Sequence, residues 1–175
     1  LLSKIQQRNF GIKKKEYENM LSKFLNVNNF IWLHKGIKGD DTHGHIDDIC
    51  RFVSPDTIMT AIENNKKDVN YKILQTNLNI LKKAKNINGK NFNLIKIPMP
   101  KAIFINKIRV PASYLNFLIC NKSVLLPLFN DKNDKVVIKI FKKFFKTRKV
   151  IGIDCTNLIW GFGAIHCMTQ SEPSV

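Results

Sequence analysis

The chain has 175 residues and a formal net charge of +16, with 44% hydrophobic and 24% charged residues. That is enough apolar chain to bury one core, and it excludes a disordered polar polymer. No apolar run approaches the roughly 20 residues that cross a bilayer, which excludes a membrane-spanning helix as the organising feature.

The chain opens on Leu1-Leu2-Ser3-Lys4-Ile5-Gln6-Gln7, with neither an initiator Met nor a secretory apolar core, so the true N-terminus is expected to lie upstream. Tyr17, Met20, Leu21, Phe24 and Leu25 then recur at helical spacing. Phe30–Leu33 follows as a short apolar run of strand character. Ile49–Val53 and Thr57–Ile62 read as paired strands across a Ser54-Pro55-Asp56 turn. A second helix is expected from about Asp68 to Lys85, capped by Asp68, and Leu94–Ile97 reads as the strand after it. Tyr114–Cys120 and Val124–Leu128 flank an Asn121-Lys122 turn. A third helix, with Asn133 as its expected cap, carries Val136, Val137, Ile140, Phe141, Phe144 and Phe145, and Val150–Ile153 closes the series.

Strand–strand–helix–strand thus repeats twice, with an incomplete copy before and a fragment after, at a period of roughly 55 to 65 residues. The fold class is α/β, a propeller-like array of ββαβ units. About two and a half copies leave strand edges open, so the native assembly is expected to contain more copies or to form homo-oligomers. Loops Lys38–Ile46, Asn106–Ser113 and Gly161–Cys167 occupy equivalent places and should converge on one end of the array.

The positive charge does not read as a nucleic-acid footprint. Lys135, Lys139, Lys142 and Lys146 lie opposite the apolar stripe of their helix, as a solvated face does, and no Arg-and-aromatic recognition motif occurs. No nucleic-acid or membrane partner is expected. Cys50, Cys120, Cys155 and Cys167 form no C-x-x-C pair and read as reduced thiols of a cytoplasmic protein.

Two segments carry chemistry. Gly39–Asp48 packs four acids, two His and two Gly into ten residues. Gly161-Phe162-Gly163-Ala164-Ile165-His166-Cys167 places flexible backbone beside a cysteine. Thr42-His43-Gly44-His45-Ile46-Asp47 resembles the opening of the metallo-β-lactamase fold, but Asp48 stands where that family has His. A zinc site would also need ligands downstream, where His166 is the only histidine.

A broader resemblance covers nearly the whole chain. Trp32-Leu33, Gly36-Ile37, the Gly-Asp-Asp-Thr-x-Gly-His-Ile-Asp loop, Arg51-Phe52-Val53 and Pro111-Ala112-Ser113-Tyr114-Leu115-Asn116-Phe117 come in order. Pro127-Leu128-Phe129, Val150–Asp154 and the closing Ile-His-Cys-x-Thr-Gln complete the set. Together they resemble the agmatine deiminases of the Porphyromonas-type peptidylarginine deiminase family. The resemblance implies a pentein fold, a five-bladed propeller of ββαβ units of which this chain would be the C-terminal half. It implies hydrolysis of agmatine to N-carbamoylputrescine and ammonia, on the route to putrescine, without metal or cofactor. Cys167 would be the nucleophile, His45 the acid and base, and Asp47 a carboxylate on the guanidinium. A second acid is expected from the Asp40-Asp41 pair, with Asp41 preferred. His166 reads as structural, because neighbouring residues of a strand point to opposite faces.

The match departs from the family in three places. Phe162 and Ala164 stand where the family has Gly and Asn, and Ser171-Glu172 replaces further Gln. The Asp and Glu-Gly-Gly segment of the family's N-terminal half have no counterpart here. A fragment or a truncated, inactive product would both account for that.

Overall fold

The computed structural model describes residues 11–41 and 44–172. Two copies of one unit form its body. In the first, β1 (Cys50–Ser54) pairs antiparallel with β2 (Thr57–Ile62), and helix α2 (Asn70–Lys83) returns the chain to β3 (Asn93–Pro98), parallel to β2. In the second, β6 (Leu118–Ile119) pairs antiparallel with β7 (Ser123–Leu128), and α3 (Asn133–Phe144) leads to β8 (Lys149–Asp154), parallel to β7. Both parallel pairs are six residues long, with Thr57 opposite Asn93 and Ser123 opposite Lys149. The expected repeat of ββαβ units is therefore present, in a mixed α/β fold. Helix α1 (Lys14–Leu25) precedes the first unit.

The units are joined by a hairpin, β4 (Ile103–Ile105) and β5 (Ile108–Val110). Its turn residues Asn106 and Lys107 have φ of 49° and 65°, the left-handed pair that a two-residue hairpin turn requires. The Asn106–Ser113 stretch is thus partly strand, not one open loop.

The segment after the hairpin is the centre of the molecule. Every residue from Pro111 to Phe117 is buried, although only Leu118 and Ile119 continue as strand. The expected strand from Tyr114 is replaced by irregular backbone, whose polar groups must still be bonded. Arg51 donates to the carbonyls of Leu115 and Phe117 at 3.3 and 2.9 Å. The Ser113 hydroxyl donates to the Asp48 carbonyl at 2.8 Å, and the Asn116 carbonyl accepts from the His166 amide at 3.1 Å. Around this segment the two units share one core, with Met59, Leu74 and Ile97 from the first and Val124, Leu126, Val137 and Phe141 from the second. Phe117 meets Phe141 edge to face at 4.9 Å, a geometry worth about 0.5–1.5 kcal/mol beyond simple burial.

Phe30–Leu33 is not a strand. The chain beyond it runs along α2 and bonds to that helix's side chains in place of a neighbouring strand. Asn77, two turns on from Asn70, accepts the His34 amide and donates to the Lys35 carbonyl, and Asn70 accepts the Lys38 amide at 2.7 Å. Helix α1 has the expected periodicity but not the expected burial, because Tyr17 is its buried residue while Met20, Phe24 and Leu25 are exposed. The expected caps also shift. Val69 and Lys132 hold the cap positions, and the carboxylates of Asp68 and Asp131 each accept the amide of the residue two positions on, at 2.8 Å. Asn133 instead donates its side-chain amide to the Met99 carbonyl. Among the described residues no helix is long and apolar enough to cross a membrane.

Candidate active site

Three stretches far apart in sequence supply the site: the acidic loop before β1, the buried Pro111–Phe117 segment, and the turn after β8. The acidic loop is folded by Asp40. Its carboxylate is buried and accepts the amides of Gly44 and His45 at 2.7 and 2.6 Å. A Cβ on Gly36 would sit 2.5 Å from the Gly44 Cα, so only glycine lets the incoming chain lie against this loop. Asp41 is exposed and makes none of these bonds. The pair is thus divided between a carboxylate used inside the loop and one left to face outward. Thr42 and His43 lie outside the described residues.

Ile46–Asp48 forms a single 3-10 turn that aims Asp47 and Asp48 inward. The turn His166–Met168 has the same form. That corrects the expectation for His166, since no strand separates its side chain from that of Cys167. Nδ1 of His166 lies 2.7 Å from Oδ2 of Asp47. The Cys167 thiol donates to the same oxygen at 3.4 Å. One ligating atom each from His45, Asp47 and Cys167 falls within 4.8 Å of the others, so the three expected catalytic residues are together. Nδ1 of His45 is buried and has no hydrogen-bond partner among the described residues; the nearest carboxylate oxygen, of Asp40, is 3.7 Å away.

Sequence reasoning missed Asn116. Its side chain is buried and accepts the amides of Ala164 and Cys167 at 3.1 and 3.2 Å. It donates to Asp47 at 3.0 Å, to Asp48 at 3.1 Å and to Sγ of Cys167 at 2.9 Å. The only advance signal was its place in the Pro111–Phe117 motif. Gly163 is equally constrained, because a Cβ there would meet the Cys167 Cβ at 2.5 Å. Phe162, in place of the family's Gly, keeps a left-handed φ of 58°. Ala164 is fully buried, and its amide still serves Asn116.

The electrostatics divide the two neighbouring acids. Burial raises the pKa of Asp47, but hydrogen bonds from His166 and Cys167 and the charge of His166 outweigh it, and the net shift is downward. Asp48 goes the other way. Burial, then repulsion by Asp47 and Asp40, push it up to about 8, so it is mostly protonated at neutral pH while Asp47 is charged. Burial also pushes the Cys167 thiol up to about 11, against the Asn116 hydrogen bond and with the carboxylates of Asp47 and Asp48. All four cysteines are unpaired. The site therefore offers a charged carboxylate, a free imidazole and a protonated thiol facing one point. The cluster's spacing alone would also suit a metal ion.

The fold recurs in known proteins. A provisionally named agmatine deiminase of Legionella pneumophila (strain Paris) is 35% identical over 167 residues, which are 95% of this chain and 48% of that protein. Among solved structures, a cysteine-to-serine variant of C. jejuni agmatine deiminase with substrate bound matches 91% of this chain and 46% of that one, with TM-score 0.84 and 33% identity. The agmatine deiminase of Enterococcus faecalis matches 93% of this chain and 49% of its own, with TM-score 0.86 and 28% identity. The chain spans about half the length of the curated relatives it matches. The model of the Porphyromonas-type peptidyl-arginine deiminases matches residues 2–173, both site loops and the segment between them included, and the chain belongs to that family.

Proposed function

We propose that this chain forms the nucleophile-bearing half of a centre that hydrolyses agmatine to N-carbamoylputrescine and ammonia, feeding putrescine formation. The observation that carries the reading is the meeting of Asp47, His45 and Cys167 within 4.8 Å, in a family whose members are named for this chemistry. The N-terminal half of the relatives would complete both the ring of ββαβ units and the cage around the substrate.

A guanidinium is planar and cationic, so carboxylates that accept its N–H groups in a fork fix its plane. Asp47 is charged and takes one side, and exposed Asp41 is the second acid. The thiol, pushed up to about 11 by burial, ionises more readily once a cation sits beside it, and its proton passes to His45. The Cys167 thiolate then attacks the guanidinium carbon and forms the C–S bond of a tetrahedral adduct. Its C–N bond breaks, and ammonia leaves with a proton from His45. His45, now neutral, takes a proton from water as the oxygen attacks the amidino-cysteine. Collapse of that second adduct breaks the C–S bond, its hydroxyl proton passes to the departing sulfur, and the ureido product is released with the thiol restored, while His45 loses its proton to solvent.

The test is to incubate the chain, alone and combined with the N-terminal half of a relative, with agmatine. Ammonia and N-carbamoylputrescine are then followed by mass spectrometry. Product is expected in the combined sample and is lost at least about 1000-fold in Cys167→Ser. No product in either arrangement, or undiminished turnover in Cys167→Ser, would overturn the reading.

A further inference from the structure

The Asn116 side chain has more partners than protons. Its Oδ1 faces the amides of Ala164 and Cys167, which can only be donors, so the orientation of the side-chain amide is fixed. Nδ2 carries two hydrogens yet has three acceptors within 3.1 Å: Asp47, Asp48 and Sγ of Cys167. Two hydrogens serve at most two of the three at once. With Cys167 as a thiol, its S–H reaches Asp47, and the two Nδ2 hydrogens can serve the carboxyls. Once that S–H is gone, the sulfur needs a donor, and Nδ2 is already 2.9 Å away.

We propose that Asn116 is a positioning residue for the nucleophile, holding Sγ in place and supplying the N–H that stabilises the Cys167 thiolate. The use of that thiolate in deimination rests on the function proposed above, but the contact itself does not. The groups facing Sγ account for the need. Asp47 on the acidic turn opposes a negative sulfur, as does Asp48 once it ionises, and their effect adds to that of burial. His45 and His166 flank Asp47. Arg51 on β1 is the nearby cation, and Cys167 acts on its charge, but its guanidinium is committed to the carbonyls of Leu115 and Phe117. Among the described residues, Asn116 is the charge-stabilising group in direct contact with the sulfur.

The experiment reads thiolate formation without any substrate. The rate of iodoacetamide alkylation is measured residue by residue, by mass spectrometry, at a fixed mildly alkaline pH. Buried Cys155 serves as an internal reporter of loosening. Asn116→Ala is expected to slow alkylation of Cys167 about tenfold, which corresponds to one pKa unit, with Cys155 unchanged. The double variant Asn116→Asp with Asp48→Asn separates contact from packing. It keeps a hydrogen bond between positions 116 and 48 with its direction reversed, and it keeps an acceptor for the Ala164 and Cys167 amides, but it presents no fixed donor to Sγ. It should be as slow as Asn116→Ala. Alkylation of Cys167 at the parent rate or faster, with Cys155 still protected, would overturn the proposal. If both variants expose Cys155, Asn116 is a buttress of the fold only and the proposal falls. Because agmatine is absent, slowed alkylation in a chain that never hydrolyses agmatine would leave this inference standing while the proposed function fails.

Discussion

Asp47 and His166 meet at 2.7 Å across 119 residues of chain. The contact helps hold the pKa of a partly buried carboxylate below its ordinary value, against burial, which raises it. The acid that should grip a cationic substrate thus depends on a histidine that the sequence pattern assigned to the scaffold.

Replacing that histidine should therefore act through Asp47. In His166→Ala, the reconstituted enzyme should lose about tenfold in kcat/KM, and the acid limb of its pH profile should move to higher pH as Asp47 becomes easier to protonate. His166→Asn, which retains a donor without the charge, should recover part of the loss. A pH profile identical to the parent's in His166→Ala would show that the contact does not control Asp47.

The protonated state of Asp48 has a signature in stability. Its pKa lies near 8 in the folded chain, against 3.8 for an unperturbed carboxyl. The folded chain therefore holds a proton that the unfolded chain releases. Stability from this source is full below about pH 4 and is lost as pH rises toward about 8. Asp48→Asn cannot lose that proton. Between about pH 4 and pH 8, denaturant unfolding should show the variant gaining on the parent by more than about 1 kcal/mol. Parallel stability curves would mean that Asp48 is ionised in the fold.

Gly163→Ala should disable the site with limited damage elsewhere. The new methyl would stand 2.5 Å from the Cys167 Cβ and 3.0 Å from Sγ, so the nucleophile must move. A displacement on the order of 1 Å can lower turnover about 100-fold, while the overpacking should cost about 1–3 kcal/mol. Ammonia release and thermal unfolding measured on the same preparation would test both numbers. Full activity would require that the turn relax without moving the sulfur.

Away from the site, Arg109 donates to both carboxylate oxygens of Asp68 at 3.0 Å, tying the connecting hairpin to the start of α2. Both side chains are mostly buried. Arg109→Ala should lower stability by about 3 kcal/mol by leaving Asp68 without its ion-pair partner, yet leave the reactivity of Cys167 unchanged. A change in that reactivity would reveal coupling between hairpin and site.

Local periodicity made much of this architecture legible. The stripes of α2 and α3 and the apolar runs of β2, β3 and β7 reflect which residues face the shared core, whereas Ile151 and Ile153 of β8 are exposed. That information is written at spacings of two to four residues. Residues whose role depends on a distant partner could not be read in the same way. Phe30–Leu33 looks like a strand, but the chain after it is held by Asn70 and Asn77. Tyr114–Phe117 reads as the start of a strand but is an irregular thread whose backbone is bonded by Arg51 and Ser113. Cys167, His45 and Asp47 stood out because their side-chain chemistry is unusual in such loops. Asn116 did not, because a buried amide acquires meaning only from the atoms around it.

Asn116 joins stretches lying 69 residues before it and 51 residues after it. Closing loops of that size is entropically unfavourable until both ββαβ units have docked. No local piece of the chain can prearrange the nucleophile with its neighbours. The centre is therefore expected to be among the last features to form as the chain folds and among the first to go when it unfolds. Until then Cys167 is an ordinary cysteine, without the neighbours that would set it apart from the other three.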